Sequence, residues 1–91
     1  MSSMATSWAF DAEDLNPPER LVLLLLADCH DPSTGVCETT DAWLGRRSNM
    51  DRDELHSALR TLFGLGLING FDRSGECTQY FLNIQKPRRV A

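Results

Sequence analysis

The strongest constraint on the fold of this chain is an unbroken apolar run, LVLLLLA at residues 21–27. The run is too short to span a bilayer, which takes about 20 apolar residues. Asn16 and two prolines precede it, and Pro32 and Gly35 follow it. Asparagine caps helices, proline is tolerated in a first turn, and a helix that is apolar almost all round packs centrally. The sequence therefore predicts a buried helix over about 17–30.

Two further helices, joined by a tight turn, are predicted downstream of this helix. Thr40 is a suitable N-cap for the second helix, which we expect to end near Ser48. Asn49 suits the left-handed backbone of a tight turn. Asp51 and Glu54 are spaced as in a capping box, so the third helix begins there. Its apolar residues recur at helical spacing and predict the buried face: Leu55, Ala58, Leu59 and Leu62.

A β-hairpin is predicted after the third helix, which glycines at 64 and 66 end. Residues 67–71 form the first predicted strand, residues 72–76 the turn and residues 77–84 the return strand. Residues 36–37 are expected to form a short strand between the first and second helices. The predicted order is that of a winged helix-turn-helix fold, of the α+β class. In this fold three helices close a core and a C-terminal hairpin, the wing, covers its open side.

The predicted domain organisation is simple, because 91 residues support one hydrophobic core. We expect an N-terminal arm at residues 1–10, with a loose start and with Trp8 and Phe10 packed on the core. The folded domain should span residues 11–85, and a basic tail should span residues 86–91.

Composition argues for a binding protein without a cofactor. Hydrophobic residues make up 42% and charged residues 24% of the chain, as in an ordinary globular protein. Three cysteines stand at wide spacing, with no zinc-type pairing among Cys29, Cys37 and Cys77. We expect reduced, mostly buried thiols, no metal and no cofactor.

No group is placed to orient His30 beside Cys29, so we expect no enzyme activity and no small-molecule substrate. No basic stretch leads into an apolar segment at the start, which predicts a cytoplasmic protein with no membrane partner.

The segment from Trp8 to Leu82 resembles the helix-turn-helix domain of bacterial and phage replication-initiation proteins. The matching residues are mostly core and turn positions: PPERLVLLLLAD, Gly35-Val36-Cys37, Leu44-Gly45, Asn49-Met50, Leu55, Ala58, Leu59, Leu62, Gly66-Leu67-Ile68 and Tyr80-x-Leu82. The resemblance implies a domain whose third helix enters the DNA major groove. It therefore implies a regulator of transcription, or the DNA-contacting part of a replication initiator.

The resemblance also implies where DNA would be contacted. The outward side of the third helix would carry the contacts, with arginines of the second helix and the wing tip beside it: Arg46, Arg47, Arg52, His56, Ser57, Arg60 and Arg73. The tail residues Lys86, Arg88 and Arg89 would add a trailing electrostatic contact. The alternative is that these are solvated surface residues, with the helix arginines partnered by nearby carboxylates. We also expect a dimer or a larger assembly, because one module this acidic would bind weakly.

Two features of the sequence favour a different partner. The net charge is −4, and the chain has Asp51-Arg52-Asp53 where the family usually has Ser-Arg-Arg or Ser-Arg-Ser. Carboxylates there oppose phosphate, and aromatics outside the apolar stripe would suit a protein interface. The residues of this alternative interface are Trp43, Asp51, Asp53, Glu54 and Phe63. The second hypothesis is therefore an acidic winged helix that binds protein, such as a phage-encoded, anti-CRISPR-like inhibitor that mimics DNA and blocks a nucleic-acid-binding complex.

Overall fold

The computed structural model describes residues 3–74 and 77–84. In that part of the chain there are four helices and four strands: α1 (Ser3–Asp11), α2 (Pro17–Asp28), β1 (His30–Asp31), β2 (Val36–Thr39), α3 (Asp41–Ser48), α4 (Arg52–Gly64), β3 (Ile68–Ser74) and β4 (Cys77–Leu82). The strands form one antiparallel sheet in the order β1-β2-β4-β3. The chain is thus a small α+β protein, as expected.

The α1 helix is the main departure from the predicted elements. The loose start expected for residues 1–7 is wrong from Ser3 onward, since α1 begins there. Trp8 is 7% exposed and packs in the core as predicted, whereas Phe10 is 61% exposed. Residues two apart point to different sides of a helix, so the two aromatics of this segment cannot share one buried face. The buried residues follow helical spacing: Ala5, Trp8, Ala9 and Ala12.

Arg20 fastens the end of α1 to the start of α2. Its Nη1 donates hydrogen bonds to the carbonyl oxygens of Ala9, at 3.0 Å, and Phe10, at 2.8 Å. Its Nη2 donates to the carbonyl oxygen of Ala12 at 2.7 Å. The last carbonyls of a helix have no partner within the helix and carry partial negative charge, so a guanidinium stabilises them. One cation of this acidic chain is therefore committed to the fold.

The central helix α2 begins where predicted and ends two residues earlier than the expected His30. At its start the Asn16 backbone N–H donates to Glu19 Oε1 at 3.0 Å. Its core residues are fully enclosed: Val22, Leu23, Leu26 and Ala27. His30 has left the helix for β1, where it pairs with Cys37. Strand pairing explains why the helix stops short of the predicted end.

The α3–α4 unit, two helices joined by a tight turn, follows the predicted caps closely. The Thr40 side chain accepts a hydrogen bond from the Trp43 N–H at 3.0 Å. Asn49 has φ 59° and ψ 37°, the predicted left-handed conformation. The Glu54 N–H donates to Asp51 Oδ1 at 2.8 Å, and the Asp51 N–H donates to Glu54 Oε1 at 3.2 Å. The capping box is confirmed, and with it the position at which α4 begins.

The sheet is larger than the predicted hairpin. The short strand expected at residues 36–37 runs on to Thr39 and pairs along its length with β4. The strand predicted at residues 67–71 begins at Ile68 and continues to Ser74, and β4 stops at Leu82 rather than at residue 84. One side of the sheet covers the helices with buried residues: Cys37, Thr39, Ile68, Thr78 and Tyr80. The β3–β4 hairpin thereby packs directly against the helical layer and is also joined to β2 by strand pairing.

Candidate functional site

The outward side of α4 is a continuous polar ridge. Leu55 and Leu59 belong to the buried face of the helix, as predicted. Asp53, Ser57 and Arg60 are exposed and, at 3.6 residues per turn, lie on the opposite side. The ridge therefore presents an anion, a hydroxyl and a cation to solvent. The premise of both functional hypotheses, that this helix offers its polar side outward, agrees with the structure.

The three carboxylates at the start of α4 differ in what they do. Asp51 and Glu54 accept backbone hydrogen bonds of the capping box, so their positions are explained by helix formation. Asp53 is exposed, and among the described residues it forms no hydrogen bond and no ion pair. Asp53 is thus the one of the three that no capping hydrogen bond holds, although its charge in the first turn favours the α4 helix dipole.

The arginines predicted for a nucleic-acid interface lie together on α3 and α4. Arg46, Arg52 and Arg60 are exposed, and none forms an ion pair with a described carboxylate. The partnering by nearby Asp and Glu that the alternative required is therefore absent within the described part of the chain. Arg47 lies over the Trp43 ring, with its Cζ 5.3 Å from the ring centroid. This cation–π contact holds the Arg47 guanidinium close to α3.

The two aromatics considered for a protein interface are both engaged within the chain. Trp43 is half-buried, packs against the hydrophobic core and carries the Arg47 guanidinium on its face. Phe63 is also half-buried, and its ring centroid lies 6.3 Å from that of Tyr80 on β4. These contacts give each aromatic a structural role in joining its helix to the rest of the fold.

His56 bridges the two helices of the unit. Its Nε2 lies 3.2 Å from Oδ2 of Asp41, at the start of α3, and the two side chains are 41% and 35% exposed. The pair fixes the imidazole against α3 rather than leaving it free on the ridge. Asp41 also stands in the first turn of α3, where its charge favours the helix dipole. The partners are 15 positions apart, and their contact depends on how α3 crosses α4.

A shallow groove separates α3 from the first turns of α4. Its walls carry two arginines and two carboxylates above an apolar floor: Asp41, Ala42, Gly45, Arg46, Met50, Asp51, Arg52 and Leu55. The groove adjoins the polar ridge of α4. Arg46 and Arg52 thus stand on facing helices at one edge of the candidate interface.

Charge is distributed unevenly over the described surface. With Arg20 committed to α1, every other basic side chain that the structure describes lies on α3 or α4. Exposed carboxylates elsewhere lie at the end of α1, in the α1–α2 connection, at the end of α2 and on β1 and β2: Asp11, Glu13, Asp14, Asp28, Asp31 and Glu38. The α3–α4 pair with its Asp51 cap carries four arginines and also four carboxylates, Asp41, Asp51, Asp53 and Glu54, so it is formally neutral and the net charge of −4 arises in the rest of the chain.

The side chains of four residues in the predicted interface lie outside the described residues. Arg73 lies on β3, but its side chain falls outside the described residues. The tail residues Lys86, Arg88 and Arg89 also lie outside them. The candidate interface is consequently defined by α3 and α4.

The remaining chemistry-bearing side chains are the cysteines and His30, of which Cys37 and His30 are buried and Cys29 and Cys77 are half-buried. The cysteines are free thiols, and burial raises the pKa of Cys37 to about 12. Burial also raises the pKa of Cys29 and lowers that of His30. Residues 3–74 and 77–84 hold no cluster of three His, Cys, Asp or Glu side chains suited to a metal. Within the same residues no helix has the length and apolar character needed to cross a bilayer.

Comparisons of the chain with protein-family models, with curated proteins and with solved structures returned no match. A functional assignment therefore rests on the site itself, since fold and function separate readily. The α3–α4 surface, with its unpaired arginines and its polar ridge, is the candidate site.

Proposed function

We propose that this chain is a winged helix-turn-helix domain that binds duplex DNA, with α4 in the major groove. The observation that carries the proposal is the arrangement of Arg46, Arg52 and Arg60. These side chains are exposed, lie on α3 and α4 and lack ion-pair partners among the described residues. Unpaired arginines suit phosphate and guanine, and phosphate contacts supply much of the affinity of DNA-binding proteins.

The order of the elements supports the winged-helix assignment. A helix, the two strands β1 and β2, two helices joined by a tight turn and a hairpin follow one another from α2 to β4, and β2 pairs with the hairpin strand β4. In helix-turn-helix proteins the second helix of the unit lies in the major groove, with its N-terminal residues nearest the base edges. In this chain that helix is α4, and the β3–β4 hairpin would be the wing.

The acidic surface sets the expected strength of binding. At a net charge of −4 the field of the whole molecule opposes DNA, so the arginines act locally. We therefore propose a dimer or a larger assembly as the form that binds tightly, acting as a regulator or as part of a replication initiator. Two modules double the number of phosphate contacts on adjacent half-sites.

A salt titration tests the proposal. Fluorescence anisotropy with a labelled random-sequence duplex at low salt should detect binding. If Arg46, Arg47 and Arg52 meet phosphate, the slope of log K against log salt should be roughly −2.7 per module. Arg46→Gln should weaken binding and make the slope shallower by about 0.9.

A charge-matched control separates a local contact from a change in net charge. Ser7 is exposed on α1, which packs against α2. Ser7→Asp changes the net charge by the same amount as Arg46→Gln but leaves α3 and α4 untouched. The control should keep the wild-type slope. Equal effects of the two substitutions, or no wild-type binding at the lowest salt, would contradict the proposal.

A second function is favoured by one specific observation. Asp53 projects from the ridge without a partner among the described residues, and the chain is acidic overall. An acidic winged helix that binds a basic surface, for example as a DNA-mimicking inhibitor of a nucleic-acid-binding complex, would use these charges. Under this alternative the wild-type protein does not bind duplex at low salt, and Asp53→Asn weakens its binding to a basic partner.

A further inference from the structure

From the geometry of the α4 ridge we infer that Asp53 determines specificity by selecting a cytosine in the DNA site. This inference rests on the proposed function and names the base that it recognises. It also accounts for the one carboxylate of α4 that capping leaves unexplained. Asp51 and Glu54 hold the first turn together, whereas Asp53 faces outward.

The position of Asp53 places it nearest the bases. It lies in the first turn of α4, and Asp53, Ser57 and Arg60 follow one another at helical spacing on the side opposite Leu55 and Leu59. The N-terminal residues of a recognition helix contact base edges in the major groove. A side chain in the first turn on the outermost ridge therefore meets a base edge before it meets a phosphate.

The chemistry of the base edges then restricts the partner. In the major groove guanine presents N7 and O6, which are both acceptors and repel a carboxylate, and thymine presents an acceptor and a methyl group. Adenine has a donor at N6, but its N7 acceptor stands beside it. Cytosine presents the N4 donor with no acceptor of its own on that edge, so it is the base that a carboxylate favours.

Arg60 extends the recognised pattern along the same ridge. Seven residues separate it from Asp53, which is about 10.5 Å along a helix at 1.5 Å per residue. Base pairs rise about 3.4 Å each, so the two side chains reach positions roughly three base pairs apart where the helix follows the groove. Arginine favours guanine through O6 and N7. The predicted core of the site is thus a cytosine and a guanine about three base pairs apart.

A carboxylate in this position lowers the affinity for DNA. Measuring this effect distinguishes a residue that determines specificity from one that DNA binding merely tolerates. Asp53 repels every phosphate near it, so it lowers affinity for all sequences and lowers it least where a cytosine N4 donor is present. Removing the charge should therefore raise affinity for random duplex while abolishing the preference for cytosine. A residue that is only solvated would change the first quantity without changing the second.

The experiment is a site selection from random duplex with the full chain, followed by anisotropy on the selected sequence. The wild-type protein should enrich a cytosine and bind it about five- to tenfold tighter than a duplex with thymine at that position. Asp53→Ala should reduce this ratio to about one and bind random duplex more tightly. Asp53→Asn should move the preference to adenine, because asparagine pairs with N6 and N7 of that base.

Asp28→Asn serves as the matched control, since Asp28 is an exposed carboxylate at the end of α2. It removes the same charge and should keep the cytosine preference. Circular-dichroism melting confirms that each variant is folded. If the wild-type protein binds no duplex, the proposed function fails. If it selects a site and Asp53→Ala selects the same cytosine, DNA binding stands and this inference is overturned.

Discussion

The α1–α2 pair and the α3–α4 pair use the same residue types for opposite purposes. On the first pair Arg20 donates to three carbonyl oxygens, and aromatic Trp8 is buried. On the second pair Arg52 and Arg60 are exposed and have no ion-pair partner among the described residues. An arginine is therefore informative about function only when its hydrogen-bond partners are known.

This difference also explains why the net charge of the chain is a poor indicator of the charge that the α3–α4 surface offers to a partner. Arg20 contributes to the sum but is unavailable to a partner, and Asp51 and Glu54 contribute to it while capping a helix. Charges that the fold uses and charges that remain for a ligand enter the total equally. The sign of the total is consequently a poor guide to the charge of the α3–α4 surface.

The largest expected effect tests whether α1 is an integral part of the core. Trp8→Ala should lower the free energy of unfolding by roughly 3–5 kcal/mol, because it removes a large buried ring. Phe10→Ala is the matched control on the same helix and should change it by no more than about 0.5 kcal/mol, because Phe10 is exposed. Urea denaturation of the two variants measures both values. Similar losses for the two would show that α1 does not pack as described.

The next effect sharpens the contrast between the arginines. Arg20→Gln should destabilise the fold by about 2 kcal/mol, because carbonyls at the end of α1 lose their charged donor. Arg60→Gln should leave stability within about 0.5 kcal/mol of wild type, because Arg60 is an exposed residue. Thermal unfolding compares the variants, and anisotropy with duplex should give the reverse order. Loss of DNA binding by folded Arg20→Gln would break the comparison.

We expect the stability of the protein to depend on pH because of His30, which lies on β1 just after α2. His30 is 5% exposed, and its Nδ1 has no hydrogen-bond partner among the described residues. Burial lowers the pKa of His30, against the opposing effect of the Asp31 carboxylate. The unfolded chain therefore binds this proton more readily than the folded protein does, since an unperturbed histidine has a pKa of about 6.5.

The sign of the effect follows from this difference. The contribution of neutral His30 is fully present above pH of about 6.5 and falls as the pH drops through that value toward the lower pKa of the folded state. Urea midpoints measured between pH 8 and pH 5 should decrease for the wild-type protein and decrease less for His30→Phe. A midpoint that is independent of pH, or that rises on acidification, would contradict the burial of a neutral imidazole.

Much of the helical layer and of the ridge was predictable from short-range signals. Thr40, Asn49 and the Asp51–Glu54 pair act on backbone atoms within four residues of themselves, so their effect is visible in the sequence. The same holds for the periodicity that separated Leu55 and Leu59 from the outward residues of α4. The exposure of Asp53, Ser57 and Arg60 follows directly from that period.

Other features depended on contacts between distant residues. The α1 helix carries an apolar spacing at residues 5, 8, 9 and 12, but it is short, and short helices are marginal without tertiary packing. Its end is held by Arg20, 8 to 11 residues away. The contact of Phe63 with Tyr80 likewise requires β4 to lie beside α4.

The sequence by itself determined where α2, α3 and α4 begin, which side of α4 is buried and where the chain turns back as a hairpin, because caps, glycines and apolar spacing act locally. Only the tertiary structure decided which charged side chains remain free. Arg20 donates its hydrogen bonds to backbone carbonyls, Asp41 pairs with His56, and Asp53 faces solvent without a partner among the described residues. Each outcome depends on how helices distant in sequence pack against one another.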